Sequence, residues 1–281
     1  MHALGIDAAD KTTTVVVDHD GRIAGRFTGA ATAFDGRKLG DVPSLDAVGI
    51  AADTASGDPV AAFQGLSGPA PHICSPGAAA VTAEVWIGAA KGARHAVCLL
   101  IGDRVLAGLL LDGRPWTGAH DLAGAAAWLA LNPVERQDYR KFGSLAAEVS
   151  NKGIARRLSW RIQAGDHSAV LERAGDLDAI TAGHVFEGAR TGDGVSISVV
   201  RDTAKYIGMA VANLATTVDP EVVVLAGAIA GAGDLLLDAV RQEATRRMPP
   251  AMIEKTRIEM SPLGNDSVAI GAARLAMLAR S

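Results

Sequence analysis

The stretch Val97 to Gly124, VCLLIGDRVLAGLLLDGRPWTGAHDLAG, decides how the rest of the chain is read. Its opening apolar run, Ala96 to Ile101, has the length of a buried strand and stops at Gly102. A second apolar run ends at Asp112-Gly113, a pair suited to a two-residue hairpin turn because both turn positions take a positive φ. Gly102, Asp103 and Arg104 interrupt the apolar sequence, so the segment cannot cross a bilayer as a helix. A strand leading into a hairpin is the expectation.

Toward the N-terminus, Gly77 to Lys91 has helical character and Ala47 to Ala52 reads as a short strand. The chain starts HALGIDAADKTTTVVVDHDGRIAGRF. This is an apolar strand, an acidic turn at Asp7, a β-branched strand Thr12 to Val17, a turn over Asp18 to Gly21 and a third strand, which together make a meander. Toward the C-terminus, helices are expected at Leu145 to Trp160, Leu177 to Ala182, His184 to Thr191 and Val195 to Thr217, with Gly192-Asp193-Gly194 separating the last two. A strand over Glu221 to Leu225 follows, then Asp234 as N-cap of a helix Leu235 to Arg247 that Pro249-Pro250 ends. A strand at Arg257 to Met260 and a helix from Val268 complete the pattern, which indicates an α/β protein of two domains.

With 281 residues, 49% of them apolar, the chain has material for more than one buried core. A net charge of −4 without any Lys/Arg-rich run argues against nucleic acid as a partner. No charged leader with an apolar core opens the sequence, so neither a membrane anchor nor secretion is expected. Cys74 and Cys98 are the only cysteines; they fit a reducing cytoplasm as small core residues and cannot build a disulfide framework.

The hairpin stretch resembles the ROK family of repressors, open reading frames and sugar kinases, whose members read roughly LGTGIGAGLVLDGRLLRGAHGLAGEIGH here. Gly102, Gly108, Asp112, Gly113, Gly118, Ala119, His120, Ala123 and Gly124 fit that frame, and the likeness runs from Gly5 to about Leu278. It implies the actin/hexokinase/Hsp70-like (ribonuclease H-like) fold: two α/β domains with a helical insertion and an interdomain cleft. The expected division is residues 1–112, with a C-terminal helix 267–281 packing back onto them, and residues 113–266. ROK repressors add an N-terminal helix-turn-helix module; the first strand here starts close to Met1, so no DNA-reading domain is expected. Because ROK proteins commonly dimerise, a homodimer is expected.

The resemblance also assigns chemistry, and at most of the assigned positions this chain departs from it. The family's first phosphate loop, GIDIGGTK, reads GIDAADKT, keeping Asp7 as the residue that would organise Mg²⁺ but placing Ala8, Ala9 and Asp10 where small residues let amides approach phosphate. Asp10 brings a like charge worth about 1 kcal/mol at 4 Å in water and about 4 at an effective dielectric near 20, which Lys11 partly offsets. In the second loop Asp103, Arg104 and Leu106 replace Thr and Gly. Asp7, Lys11, Gly102, Asp103 and Gly227 remain the candidates for nucleotide phosphate, Gly227 lying in VVVLAGAIAGAGDLLLDAVR, which resembles the family's adenosine-side motif. A strand entering a glycine-rich turn can receive an anion, and the same motif can equally be packing alone.

The family's general base is the Asp of an NDANAAALAEAWFG-like segment, here SPGAAAVTAEVWIG. Ala79, Ala80, Ala83, Glu84, Trp86 and Gly88 hold the register and place Pro76 at the base. Proline accepts no proton, and a general base is commonly worth about 10² to 10⁴ in rate. Glu84 falls about two turns further along that helix, as a structural or surface residue. Ala125 stands at a sugar-gripping Glu, and a second such Glu, expected near Leu145-Ala146, is also missing. Trp128 replaces a zinc-binding His, and no cysteine follows Cys98, so no zinc and no other metal site is expected. His120 is kept as the candidate sugar contact. Trp116 and Trp128 either fill the space of the missing ligands or offer a stacking platform.

Three functional expectations stand side by side. One is a sugar-kinase-like protein that has lost phosphotransfer and binds or regulates. The second is an active ATP·Mg²⁺-dependent, glucokinase-like sugar kinase with rearranged residues, Asp103 or Asp10 supplying the base. The third is a ligand-sensing subunit of a larger assembly. The expected small-molecule partner is a sugar or a nucleotide.

Overall fold

The computed structural model describes residues 1–9, 12–29, 44–53 and 69–280. Contacts gather the chain into two units, one of Met1–Cys98, Gly108–Gly124 and Ser261–Ser281, the other of Leu99–Ala107 and Ala125–Met260.

In the first unit, strands β1 (His2–Asp7), β2 (Thr12–Asp18), β3 (Ile23–Gly29), β4 (Ala47–Ala51) and β5 (His72–Cys74) form a sheet in the order β3-β2-β1-β4-β5. The β1–β2–β3 pairs are antiparallel, as a meander requires, whereas β1, β4 and β5 run parallel. β-Branched and aliphatic residues bury both faces of the central strands. Leu4, Ile6, Val16, Val48 and Ile50 cluster on one face; Ala3, Val15, Val17 and Ala47 pack on the other against Ala269, Ile270, Ala273 and Met277. Those last residues belong to the final helix, Ser267–Leu278, which starts where the expected C-terminal helix 267–281 does and ends at Leu278.

That helix comes unusually close to the sheet. A Cβ on Gly5 would sit 1.8 Å from the Ala269 carbonyl oxygen, and one on Gly49 2.0 Å from that of Ala272. Helix α1 (Pro76–Trp86) packs on it as closely, since a Cβ on Gly271 would meet the Ala79 carbonyl oxygen at 1.7 Å. Small residues are therefore a condition of the packing, and α1 is alanine-rich for this reason.

The hairpin stretch forms β6 (Ala96–Ile101), β7 (Val105–Leu111) and β8 (Arg114–Pro115) of a second sheet, with order β10-β9-β6-β7-β8, where β9 is Val222–Ala226 and β10 is Arg257–Met260. Asp112 and Gly113 have φ of 51° and 76°, the conformation that the turn pair was read to need.

The remaining helices belong to the second unit: α2 (Gln137–Phe142), α3 (Ser144–Val149), α4 (Asn151–Gln163), α5 (Ala169–Ala174), α6 (Ala182–Arg190), α7 (Gly194–Val218), α8 (Gly233–Thr245) and α9 (Pro250–Ile253); the final helix of the first unit is α10. Three expectations are corrected. The helix read over Leu145 to Trp160 is interrupted at Ser150, which is extended and accepts a hydrogen bond from the Gly153 amide as N-cap of α4. Leu177 to Thr181 forms no helix; the Thr181 hydroxyl caps α6, which starts at Ala182. Asp234 lies inside the first turn of α8 and makes no cap; its carboxylate pairs with Arg190 at 2.7 and 2.9 Å. Among the described residues no helix is long and apolar enough to cross a membrane.

Candidate functional site

The expected site residues fall into two sets, one in each unit. In the first unit the carboxyl edge of the parallel strands brings several together. Cα register sets Asp7 of β1 beside Ala51 of β4, and Ala51 beside Cys74 of β5. Ser75 and Pro76 follow directly. The ends of parallel strands are where open α/β sheets take ligands, and Asp7 is almost completely buried there. Burial, and secondarily the charge of Asp7, push the Cys74 thiol up to about 12. Cys98 is buried, as a core residue should be, while Cys74 is only half-buried. Lys11 and Asp10 lie outside the described residues.

Pro76 occupies the first position of α1 and is buried. The Ser75 hydroxyl accepts from the Ala78 amide at 3.2 Å, so Ser-Pro makes a good helix start: a capping oxygen followed by a residue with no amide to satisfy. The position that the resemblance gives to a base is here a helix-initiating ring without a proton acceptor.

Glu84, eight residues on, is fully buried. Its carboxylate accepts from the Ser261 hydroxyl and, at 3.0 Å, from the Ala89 amide. Burial raises its pKa, and the two hydrogen bonds oppose that rise. Ser261 in turn accepts from the Leu263 amide at 3.0 Å, so Glu84 ties the end of α1 to the approach to α10. This is a structural role; the surface alternative is corrected by the burial.

His120 is exposed, on a loop whose Gly118, Asp121 and Gly124 all have positive φ. The glycine frame of GAHDLAG thus serves a tight turn, closed by the Ala123 amide donating to Thr117 at 2.9 Å. Trp116 is 51% exposed and Trp128 59% exposed. Neither ring is enclosed in a core.

The second unit brings Gly102, Asp103 and Gly227 together. The β6 turn is held by the Asn151 amide donating to the Gly102 carbonyl at 2.9 Å, and the Asn151 side chain donates to the Asp103 carboxylate at 3.0 Å. Gly227 follows β9 with φ 83°, and a Cβ there would meet the Ile101 carbonyl oxygen at 2.8 Å. Its glycine is therefore required by packing, whatever else it does. Ala228 lays its methyl against Gly102, 3.4 Å from where a Cβ would stand. Asn151 was missed in the sequence because the helix was read straight through Ser150; the Ser-Asn pair is the capping signal that marks it.

The residues present do not fit a bound triphosphate well. The Gly102 turn carries the exposed Asp103 carboxylate, where binding of phosphate by backbone amides needs no like charge. Nor do they fit zinc. The expected histidine position is the exposed Trp128, and among the described residues no three of His, Cys, Asp and Glu gather as metal ligands.

A family model described as "ROK family" matches residues 77–278. A glucokinase from Halalkalibacterium halodurans is 30% identical over 194 residues, 68% of this chain and 59% of that protein, and a glucokinase from Thermotoga maritima is 27% identical over 69% of this chain and 62% of its own length. The chain thus spans about three-fifths of the length of these relatives. Among solved structures, a ROK family glucokinase from Streptomyces griseus, determined with glucose and AMPPNP, superposes with a TM-score of 0.85 at 22% identity, covering 99% of this chain and 100% of that one. A ROK hexokinase from Thermus thermophilus gives 0.75 at 21% identity, with both chains covered completely. At these identities the superpositions establish the actin/hexokinase-like fold.

Proposed function

We propose, from the premise that this chain belongs to the ROK family, that it is a sugar-kinase-like protein which no longer transfers phosphate and acts by binding or regulation. The observation that carries this reading is Pro76 at the first position of α1. The resemblance puts the proton acceptor there, and a pyrrolidine ring accepts none. Asp103 on the phosphate turn, and Ala125 and Trp128 in place of the implied sugar and zinc ligands, all point the same way. One change alone is compensable; the set removes base, phosphate cradle and sugar grip together.

Glucose is the first sugar to test, because the relatives named above are glucokinases. Coupled ADP release over a panel of hexoses and amino sugars should show no turnover above a protein-free control, and titration calorimetry with ATP·Mg²⁺ should show no micromolar binding. Sugar-dependent ADP release that Asp103→Asn abolishes would establish the competing reading, an active kinase using a rearranged carboxylate. Saturable heat with a sugar in the absence of nucleotide would support a retained role in binding.

A further inference from the structure

Helix α2 raises a problem that its sequence cannot solve. QDYRKF has six residues, too few to be stable alone, and none of them is buried. Neither helix propensity nor hydrophobic burial holds it in place. A cross-link must, and the structure shows one made of charged and aromatic groups.

Glu148 of α3, almost completely buried, is its centre. It pairs with the Arg136 guanidinium at the start of α2, accepts from the Tyr139 hydroxyl at 2.5 Å, and has Arg157 Nε of α4 at 3.6 Å. Burial and Glu148 push the Tyr139 hydroxyl up to about 12, keeping it a donor. A second carboxylate, Asp138, meets Arg156 at 2.7 Å and Arg136 at 3.5 Å. Arg156 also donates to the Ala147 carbonyl at 2.8 Å, and Arg157 bonds the Thr203 hydroxyl of α7. Aromatic faces cover the guanidiniums: Arg136 lies 4.3 Å from the Tyr139 ring centre, and Arg156 4.6 Å from that of Trp160. Gly143, with φ 89°, lets the α2–α3 junction close on residue 127, whose carbonyl oxygen would stand 2.3 Å from a Cβ.

Four helices, α2, α3, α4 and α7, are thus tied through one buried carboxylate. This is the segment, just beyond Trp128, where the resemblance places a zinc-binding cysteine cluster, and its donor set does not suit zinc. We propose that the Glu148 cluster takes over the fastening of residues 125–163, so that this part of the chain folds independently of metal. Arginine suits the task because its planar fork serves two carboxylates and an aromatic face at once.

The test uses the full chain, purified without chelator. Elemental analysis should find zinc well short of one per chain, and the melting temperature should be the same with EDTA as with added zinc chloride. Glu148→Gln should lower the melting temperature by about 5–10 °C, as breaking a buried ion pair does. Amide hydrogen exchange in that variant should accelerate over residues 136–142 while residues 267–278 keep their protection. If Glu148→Gln does not fold, Tyr139→Phe, which removes only one hydroxyl, should give the same regional pattern with a smaller shift. Stoichiometric zinc whose removal lowers the melting temperature would overturn the proposal, as would exchange over 136–142 that neither variant changes.

Discussion

Glu84 shows how much a single buried residue can determine. Its hydrogen-bond partners are a hydroxyl and an amide, which support the ion only in part, and burial raises its folded pKa above the ordinary 4.5. For an acid raised in the folded state, the stabilisation is fully present below the unfolded value and is lost as pH climbs through the folded one. Each unit of that rise costs about 1.4 kcal/mol once the group is ionised in both states. Glu84→Gln keeps the shape, can accept from Ala89 and can donate to Ser261. Urea unfolding of the two proteins should therefore diverge from about pH 4.5 upward, the wild type losing stability relative to the variant toward neutrality; parallel curves would refute the assignment. Gly227 teaches a different lesson. Its survival in a motif associated with nucleotide is explained by φ 83° and the Ile101 carbonyl alone, so its presence carries no information about ATP.

At the scale of elements, glycine against carbonyl is the recurring contact. Gly271 of α10 lies so close to Ala79 of α1 that a methyl group would stand 1.7 Å from its oxygen, and backbone cannot yield as a flexible side chain does. Gly271→Ala should accordingly destabilise the protein by about 3 kcal/mol or more, read as a lowered urea midpoint by circular dichroism. An unchanged midpoint would mean that α1 and α10 part readily. The meander, the hairpin and the long α7 were legible in the sequence because alternation, the Asp-Gly pair and sustained helical periodicity are local signals. The break at Ser150 was not, because the apolar pattern runs on across it and only the cap marks it. Nor was the Glu148 cluster, whose members lie on four helices and meet only after folding. The Pro76 substitution was legible as a loss; that Ser75-Pro76 is also a sound helix start emerged from the cap geometry.

Over the whole molecule, several glycines are fixed by packing rather than by any ligand. Gly5, Gly49, Gly108 and Gly271 each face a backbone carbonyl that a side chain would strike. Such positions resist substitution whether or not phosphate is ever transferred; within VCLLIGDRVLAGLLLDGRPWTGAHDLAG, Gly108 is held this way by the Gly77 carbonyl, whereas Gly113 and Gly118 are held by a positive φ. The same burial has a practical consequence at Cys74. Burial pushes the thiol up to about 12 and so holds it in the unreactive protonated form at pH 8, and Cys98 is raised as well by burial. Alkylation by iodoacetamide should then be slow in the native protein and rapid in urea. The two native cysteines, Cys74 in β5 of one sheet and Cys98 in β6 of the other, become an unmodified chemical clock for the opening of each sheet, one that reports protection by any bound ligand before that ligand's chemistry is known.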